Sequence, residues 1–409
     1  MNDNLIGILQ HAIQTVPYYK KTLAINSSTI GIDQFPILYK DFILNSKEDF
    51  ISDFYNEKYR SGRLLMKKTS GSTGKCLEVY WSINDDAIAN FEIWKYRKQW
   101  YNVSIKDRYV SFHTTLYIAN RFVEKNDDII ERGVNLSLSK KLLNNKNIHS
   151  YIERIKEFEP TWMLIQPSVL HIILSLSSEK EINTLNKLKY IELTGEYLTA
   201  STRQYFKDTL PNVNFANMYG TTETGSIALE CPCGHMHILN NAFVEVVDKD
   251  NIIKNIGEGK ILLTGYRNRA MPFIRYNIGD TGSITNSDCC CGFDGYDISI
   301  ALGREGDIVK FPQNVEKACY VFLYPIEKVN YEYNNPITQF HVEQQAIDKF
   351  TIHLSIKKSY QAWKNTITNA IVMSLKNDVC DNVEYNCIFH DENEVFCKNK
   401  LKFYTRLFD

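Results

Sequence analysis

The sequence predicts an α/β protein of two domains or more: a large amino-terminal domain built on a mostly parallel sheet with a β-rich part, then a small α+β domain at the carboxyl end. Three observations carry this reading. The 409 residues, 44% hydrophobic and 23% charged, can bury a large core. Up to about Glu230, short apolar runs alternate with longer helical patterns, as strand–helix alternation on a parallel sheet requires. Beyond Glu230 the pattern turns to strands divided by turn residues, and from about Arg304 it becomes mixed again.

Leu5, Leu9, Ile13 and Val16 recur every three or four residues and predict an opening helix, ended by Val16-Pro17-Tyr18-Tyr19. Strand patterns follow at 109–112, 162–166 and 190–194, interleaved with helical ones at 148–158, 181–188 and 199–210. In the β-rich part, strands are predicted at 243–247, 260–266 and 282–285, with Gly257-Glu258-Gly259 as a turn. The last part gives strands at 339–342, 350–356 and 383–389 around a helix at 363–375. The expected organisation is a domain over 1–303, whose part at about 231–300 is β-rich, and a second domain over 304–409.

Charge excludes some partners. With 47 Lys and Arg against 48 Asp and Glu there is no global basic field for a phosphate backbone or an anionic membrane, so no nucleic acid and no membrane partner is expected. Residues 1–20 lack the pattern of a secretory leader, with Asp3 where such a leader carries positive charge. The most apolar window, 162–176, is broken by Gln166, Pro167, Ser168 and His171 and falls short of a membrane span. A soluble, cytoplasmic protein is expected, and its ten cysteines read as free thiols or metal ligands rather than disulfides.

Five segments can carry chemistry. Lys68-Thr69-Ser70-Gly71-Ser72-Thr73-Gly74-Lys75 is a hydroxyl-rich, glycine-punctuated loop suited to polyphosphate oxygens, although its glycine spacing is not that of a Walker A loop. In Asn217 to Gly225 an aromatic ring, hydroxyls and a carboxylate share one turn: Tyr219 can stack on a base and Glu223 can hold magnesium, whereas a bland reading makes Glu223 a solvated strand end. Asp280 after Gly279 can accept from both ribose hydroxyls, or mark an ordinary turn. Gly303-Arg304-Glu305-Gly306-Asp307 stands at the domain boundary, and Lys398, Lys400 and Lys402 form a basic end that is otherwise a solvated tail.

In order and spacing these segments resemble the phenylacetate-CoA ligase branch of the adenylate-forming enzymes, over nearly the whole chain. Val16-Pro17-Tyr18-Tyr19-Lys20 and Phe35-Pro36-Ile37-Leu38-Tyr39-Lys40 are similar to that branch's amino-terminal signature, and Thr194-Gly195-Glu196 to part of its adenine segment. Ala270-Met271-Pro272-Phe273-Ile274-Arg275-Tyr276 to Asp280 is similar to its ribose segment, and Gly303-Arg304 to its hinge. The resemblance implies that Ser70, Gly71, Ser72, Thr73 and Gly74 wrap the β- and γ-phosphates of ATP. It implies that Gly195, Glu196, Asn217, Tyr219 and Gly220 frame the adenine, that Thr221 contacts the α-phosphate and that Glu223 ligates Mg2+. Asp280 would hold the ribose with help from Arg304, and Lys400, aligned through Asn399-Lys400, would be the catalytic lysine on a small mobile domain.

The implied reaction is ATP-dependent adenylation of a small carboxylic acid, aromatic acids included, followed by acyl transfer to a thiol, coenzyme A first among acceptors. Passage of the adenylate to an acyl carrier protein's pantetheine or to an amine is the alternative, and a non-catalytic nucleotide-binding regulator is a second. Residues 111–117 with Trp162 are expected to line the acid's pocket, with no Asp to pair with an α-amino group.

Soft donors gather in two places, Cys231-Pro232-Cys233-Gly234-His235-Met236-His237 and Cys289-Cys290-Cys291. Tetrahedral zinc needs four such ligands, and the expected set is Cys231, His237, Cys289 and Cys291, with Cys233 or Cys290 as substitutes. A Zn2+ held this way is closed by protein on all sides and therefore structural; many members of the resembled branch bind zinc here. No basic or aromatic cluster surrounds these residues to suggest a nucleic-acid module.

Overall fold

A computed structural model of the chain describes residues 3–23, 30–69, 77–113, 117–118, 121–122, 129–139, 145–301, 308–333, 336–390 and 404–408. By compactness it divides into two units, each assembled from two stretches of chain: 1–105 with 216–301, and 106–215 with 302–409.

In the first unit the opening helix, Asp3–Thr15, buries Leu5 and Leu9 of the expected stripe together with Ile8 and Ala12, while Ile13 is half-buried. Val16 is extended, and Pro17, lacking an N–H to satisfy, starts the short helix Pro17–Thr22. The sequence gives no single stripe over 83–101, yet a 19-residue helix, Ile83–Tyr101, lies there. Its apolar residues are spread round the cylinder: Ala89, Ile93, Tyr96 and Tyr101 are buried, while Ile83, Ile88 and Phe91 are exposed. The helix is defined by its ends instead. Ser82 accepts from the Asp85 amide at 3.1 Å, Asp85 and Asp86 follow in the first turn, and Asn102 closes it at φ +53°.

The strands of this unit run in spatial order Ile253–Lys254, Ala242–Val247, Gly257–Gly265, Tyr276–Asn286, Tyr296–Ile300, Met236–Ile238, Gly225–Glu230 and Asn214–Thr221. Each neighbouring pair in this order is antiparallel. This is the β-rich part expected from the sequence, but the strand predicted over 282–285 is eleven residues long and takes in Asp280. Its glycines hide it from propensity. Gly282 is required by closeness, since a Cβ there would stand 2.3 Å from the Ser299 carbonyl oxygen of the neighbouring strand. Behind the sheet, Ile227, Val244, Val246, Ile261, Leu263, Ile284 and Ile298 form an aliphatic core.

The second unit contains a parallel sheet in the order Tyr190–Thr194, Trp162–Ile165, Tyr109–His113, Asn135–Ser139, with the antiparallel strand Ile129–Arg132 at its edge. Its helices, Asn145–Phe158, Pro167–Leu176 and Ala200–Thr209, pack Ile148, Ile152, Ile155, Leu170, Ile173 and Phe206 into one core with the strand residues Val110, Met163 and Ile191. The apolar window at 162–176 is thus a buried strand and a helix, parted at Gln166. Residues from the carboxyl-terminal stretch form a four-stranded sheet ordered Glu384–His390, Lys349–Ile356, Ile337–Ala346, Tyr404–Arg406, covered by the helices Leu323–Glu332 and Lys364–Asp378. No helix among the described residues is long and apolar enough to cross a membrane.

Candidate nucleotide site and cysteine–histidine centre

Asn214–Thr221 and Gly225–Glu230 make an antiparallel hairpin whose turn is Thr222-Glu223-Thr224. Gly225 takes φ +82°, a left-handed conformation that costs a side-chain-bearing residue. At Gly220, beside a bulge in the register, a Cβ would meet the Gly225 carbonyl oxygen at 3.0 Å and the Met218 sulfur at 3.2 Å, so the turn needs both glycines. The loop is pinned from inside and outside. Thr221 Oγ1 accepts from the Thr224 amide at 3.2 Å, and Trp81 Nε1 donates to the Thr222 carbonyl at 3.0 Å. Glu223 is buried, which corrects the alternative of a solvated carboxylate at a strand end.

Asp280 is brought to this hairpin although sixty-one residues separate it from Tyr219. Gly279, at φ +82°, turns the strand just before it, and the Tyr219 hydroxyl donates to Asp280 Oδ2 at 2.8 Å. Tyr219, Gly220, Thr221, Glu223 and Asp280 therefore belong to one constellation within the first unit. Asn217 stands at its other end, where its backbone amide donates to Glu230 Oε2 at 2.7 Å and the Tyr101 hydroxyl donates to the Glu230 carbonyl at 2.6 Å.

Gly195 and Glu196 lie in the second unit, after the strand Tyr190–Thr194. Gly195 has φ +79°, and Glu196 accepts from the Ser168 amide at 3.0 Å, a carboxylate on the amino end of the helix Pro167–Leu176. Beside them are two groups that sequence reasoning read only as breaks in an apolar run. Gln166 Oε1 and Ser168 Oγ are shielded from solvent and meet no hydrogen-bond partner among the described residues. Polar atoms at a strand-to-helix junction are the signal that could have found them, because buried polar groups without partners mark ligand positions. Trp162, expected in the acid's pocket, is fully enclosed: its ring stacks on Tyr109 at 4.7 Å and tilts against Tyr190 at 6.1 Å, which makes it a core residue. Ser70, Gly71, Ser72, Thr73, Gly74, Thr114 to Leu116, Arg304 and Lys400 lie outside the described residues.

The two cysteine clusters meet. The ligand atoms of Cys231, His237, Cys289 and Cys291 all lie within 4.8 Å of one another, with Cys231 Sγ 3.5 Å from Cys289 Sγ and His237 Nε2 3.1 Å from Cys291 Sγ. Cys231 and His237 flank a turn closed by Gly234 at φ +88°, and the strand Met236–Ile238 carries His237 to face the loop at 289–291. Three thiols and one imidazole in this space match the donor set of a structural zinc site. Burial pushes the Cys231 thiol up to about 12, so without a cation it keeps its proton. Burial lowers the basicity of His237, outweighing the Asp297 carboxylate. One expectation is corrected: Cys233 and Cys290, read as free thiols and substitute ligands, are paired as a disulfide at 2.27 Å. The same approach of the two loops that gathers the other four residues brings this pair together on the exposed side.

A hairpin with a buried carboxylate, Glu223, and a tyrosine tied to a distant aspartate, Asp280, thus sit in a mixed α/β fold. The model of the AMP-binding enzyme family matches residues 65–268, and the chain belongs to that family. Protein CapK of Staphylococcus aureus is 25% identical over 349 residues, covering 85% of this chain and 74% of that protein. Phenylacetate-coenzyme A ligase of Thermus thermophilus is 27% identical over 164 residues, 38% of this chain and 36% of that one. Among solved structures, 2-hydroxyisobutyryl-CoA ligase in the postadenylation state with 2-HIB-AMP has a TM-score of 0.74 at 14% identity, covering 98% of this chain and 88% of that one. An anthranilate CoA ligase in complex with anthranoyl-AMP has a TM-score of 0.54 at 14% identity, covering 82% and 64%. The likeness to these two structures is one of fold.

Proposed function

We propose that the chain is an AMP-forming acid–thiol ligase. A carboxylate oxygen attacks the α-phosphorus of ATP and pyrophosphate leaves; a thiolate, that of coenzyme A, then attacks the acyl carbon and AMP leaves. The observation that supports this is the Tyr219–Asp280 hydrogen bond, which joins a ring and a carboxylate one short turn away from Glu223. Asp280 accepts the ribose hydroxyls, Tyr219 lies against the adenine with Asn217, and Thr221 donates to the α-phosphate. Glu223 is the residue that would hold Mg2+, which supplies charge neutralisation at the phosphates. Ser70 to Gly74 wrap the β- and γ-phosphates, Lys400 meets the developing charge, and the domain over 304–409 turns about Arg304 as a lid.

The acid is small and carboxylic, with aromatic acids of the phenylacetate type favoured by the partial match to that ligase. Gln166 and Ser168 supply hydrogen-bonding atoms for the bound ligand. Cys231, His237, Cys289 and Cys291 hold a structural Zn2+ that ties the loop at 231–234 to the loop at 289–291.

The test is acid-dependent exchange of labelled pyrophosphate into ATP across aromatic, aliphatic, hydroxy and amino acids, with Lys400→Ala as control. Exchange with one class of acid, lost in Lys400→Ala and followed by thioester formation with coenzyme A, is the expected result. ATP binding without exchange for any acid would refute the reading.

A further inference from the structure

His237 supplies the imidazole of the cysteine–histidine centre, and its orientation is imposed from outside the donor set. It lies on the strand Met236–Ile238 directly opposite Asp297 of the strand Tyr296–Ile300. Its Nδ1 is 2.6 Å from Asp297 Oδ1 and its Nε2 is 3.1 Å from Cys291 Sγ. The ring has no exposed surface, stacks on Phe293 at 4.4 Å and 20°, and tilts against Trp100 at 5.4 Å. The other Asp297 oxygen is engaged as well, at 2.7 Å from His235 Nδ1.

An ionised carboxylate only accepts hydrogen bonds, so the His237 nitrogen facing it carries the hydrogen. The lone pair is then left on Nε2, the atom that points into the thiol cluster. A ring turned over would bury Nε2–H against Asp297 and present Nδ1 to the cluster from a different position, which the Phe293 and Trp100 rings oppose. Without the carboxylate, the buried Nδ1–H loses its acceptor, with only the Ser287 hydroxyl near it at 3.4 Å.

We infer that Asp297, which is not a metal ligand, is the positioning residue of the centre: it fixes His237 in the tautomer and orientation that offer Nε2 to a divalent, zinc-type cation. This rests on the metal reading proposed above. A carboxylate in this position also makes the imidazole a stronger donor, and removing such partners typically weakens metal affinity by about 10–100-fold.

The experiment measures zinc per chain in the purified full-length protein, then zinc affinity by competition with a chromophoric chelator, for wild type, Asp297→Asn, Asp297→Ala, His235→Ala and Cys289→Ser. Wild type is expected to hold one zinc and Cys289→Ser to lose it. Asp297→Asn, which keeps an acceptor oxygen, should weaken affinity about tenfold and Asp297→Ala about a hundredfold, while His235→Ala leaves it in place. The unfolding temperature of chelator-stripped Asp297→Asn should equal that of stripped wild type, which separates metal positioning from a general packing role. Should Asp297→Ala fail to fold, the Asn variant decides. Equal zinc affinity in wild type and both Asp297 variants overturns the role of Asp297 and leaves the centre standing. A wild type that takes up no zinc even when supplied with it overturns the centre, and this inference with it.

Discussion

Replacing Glu245 by leucine tests how the strand that carries Asp280 is anchored. Arg275 stands five residues before Asp280 and places its guanidinium on Glu245 in a two-pronged contact, Nε at 3.0 Å and Nη2 at 2.8 Å, with Nη1 on the Phe35 carbonyl at 3.2 Å. Both side chains are buried, 9% and 3% exposed, and Arg275 is held at φ +49°, a strained value for a residue with a Cβ. Glu245→Leu leaves the guanidinium buried and unpaired, which costs about 3–5 kcal/mol. In a cooperative unit of roughly 150–250 residues each kcal/mol shifts the midpoint by about 2–4 °C, so a fall of roughly 10 °C is expected by scanning calorimetry. The double variant Glu245→Leu/Arg275→Met buries apolar groups instead of a lone charge and should recover most of the loss. Amide exchange at Leu38 and Asn277 reports the same event locally, because Leu38 N–H donates to the Arg275 carbonyl at 3.0 Å and Asn277 N–H to the Leu38 carbonyl at 2.9 Å. A single variant that melts with wild type, or a double variant that melts as low as the single, would refute the reasoning.

Tyr219→Phe removes the donor to Asp280 and, a hydrogen bond to a charged group being worth about 1.5–3 kcal/mol, should raise the KM for ATP about tenfold in the exchange assay with little change in maximal rate; an unchanged KM counts against the site. Glu223→Gln should lower exchange on the order of a hundredfold and be partly restored by higher magnesium, whereas a normal rate at low magnesium would remove Glu223 from the metal's coordination. Glu78 is held below the ordinary carboxylate value of 4.5, first by the Lys47 ammonium at 2.7 Å and then by the Tyr80 hydroxyl. A lowered native value means stability that is present above 4.5 and lost as the pH falls through the native value. Glu78→Gln should therefore flatten the fall of the melting temperature in acid, and an unaltered acid limb would show that the pair contributes nothing. Gly225→Ala should cost about 1–2 kcal/mol through its left-handed backbone, read as a lower denaturant midpoint.

What could be read in advance follows the periodicity of the residues. The strands at 109–113 and 190–194 and the helix Asn145–Phe158 carry apolar runs of the right period and length, and they fold as their pattern says. The helix Ile83–Tyr101 does not, since its stripe is blurred by exposed Ile83, Ile88 and Phe91, and only the Ser82 cap betrays it. Leu323–Glu332 is likewise helical with Pro325 in its first turn, where the missing N–H is harmless. In the site, residue types named the turn at Asn217 to Gly225 and the four donors at Cys231, His237, Cys289 and Cys291, because chemistry selects side chains. Partnerships across long sequence distances were not legible: nothing local pairs Tyr219 with Asp280, Arg275 with Glu245 or Cys233 with Cys290. Asp297 was missed for the same reason, as it lies sixty residues from the histidine it holds.

The first unit takes one stretch of its chain from 1–105 and the other from 216–301, and this has a consequence for how the protein is made. His11 Nε2 lies 2.9 Å from the Arg269 carbonyl, and the Tyr19 hydroxyl donates to the Pro272 carbonyl and accepts from the Ile274 amide. During synthesis the opening helix thus emerges with its apolar stripe and these polar groups facing water, and it waits for partners some 250 residues later. At about 5–20 residues per second that delay is on the order of ten seconds to a minute. Truncation before residue 269 removes the Arg269, Pro272 and Ile274 backbone groups on which His11 and Tyr19 close.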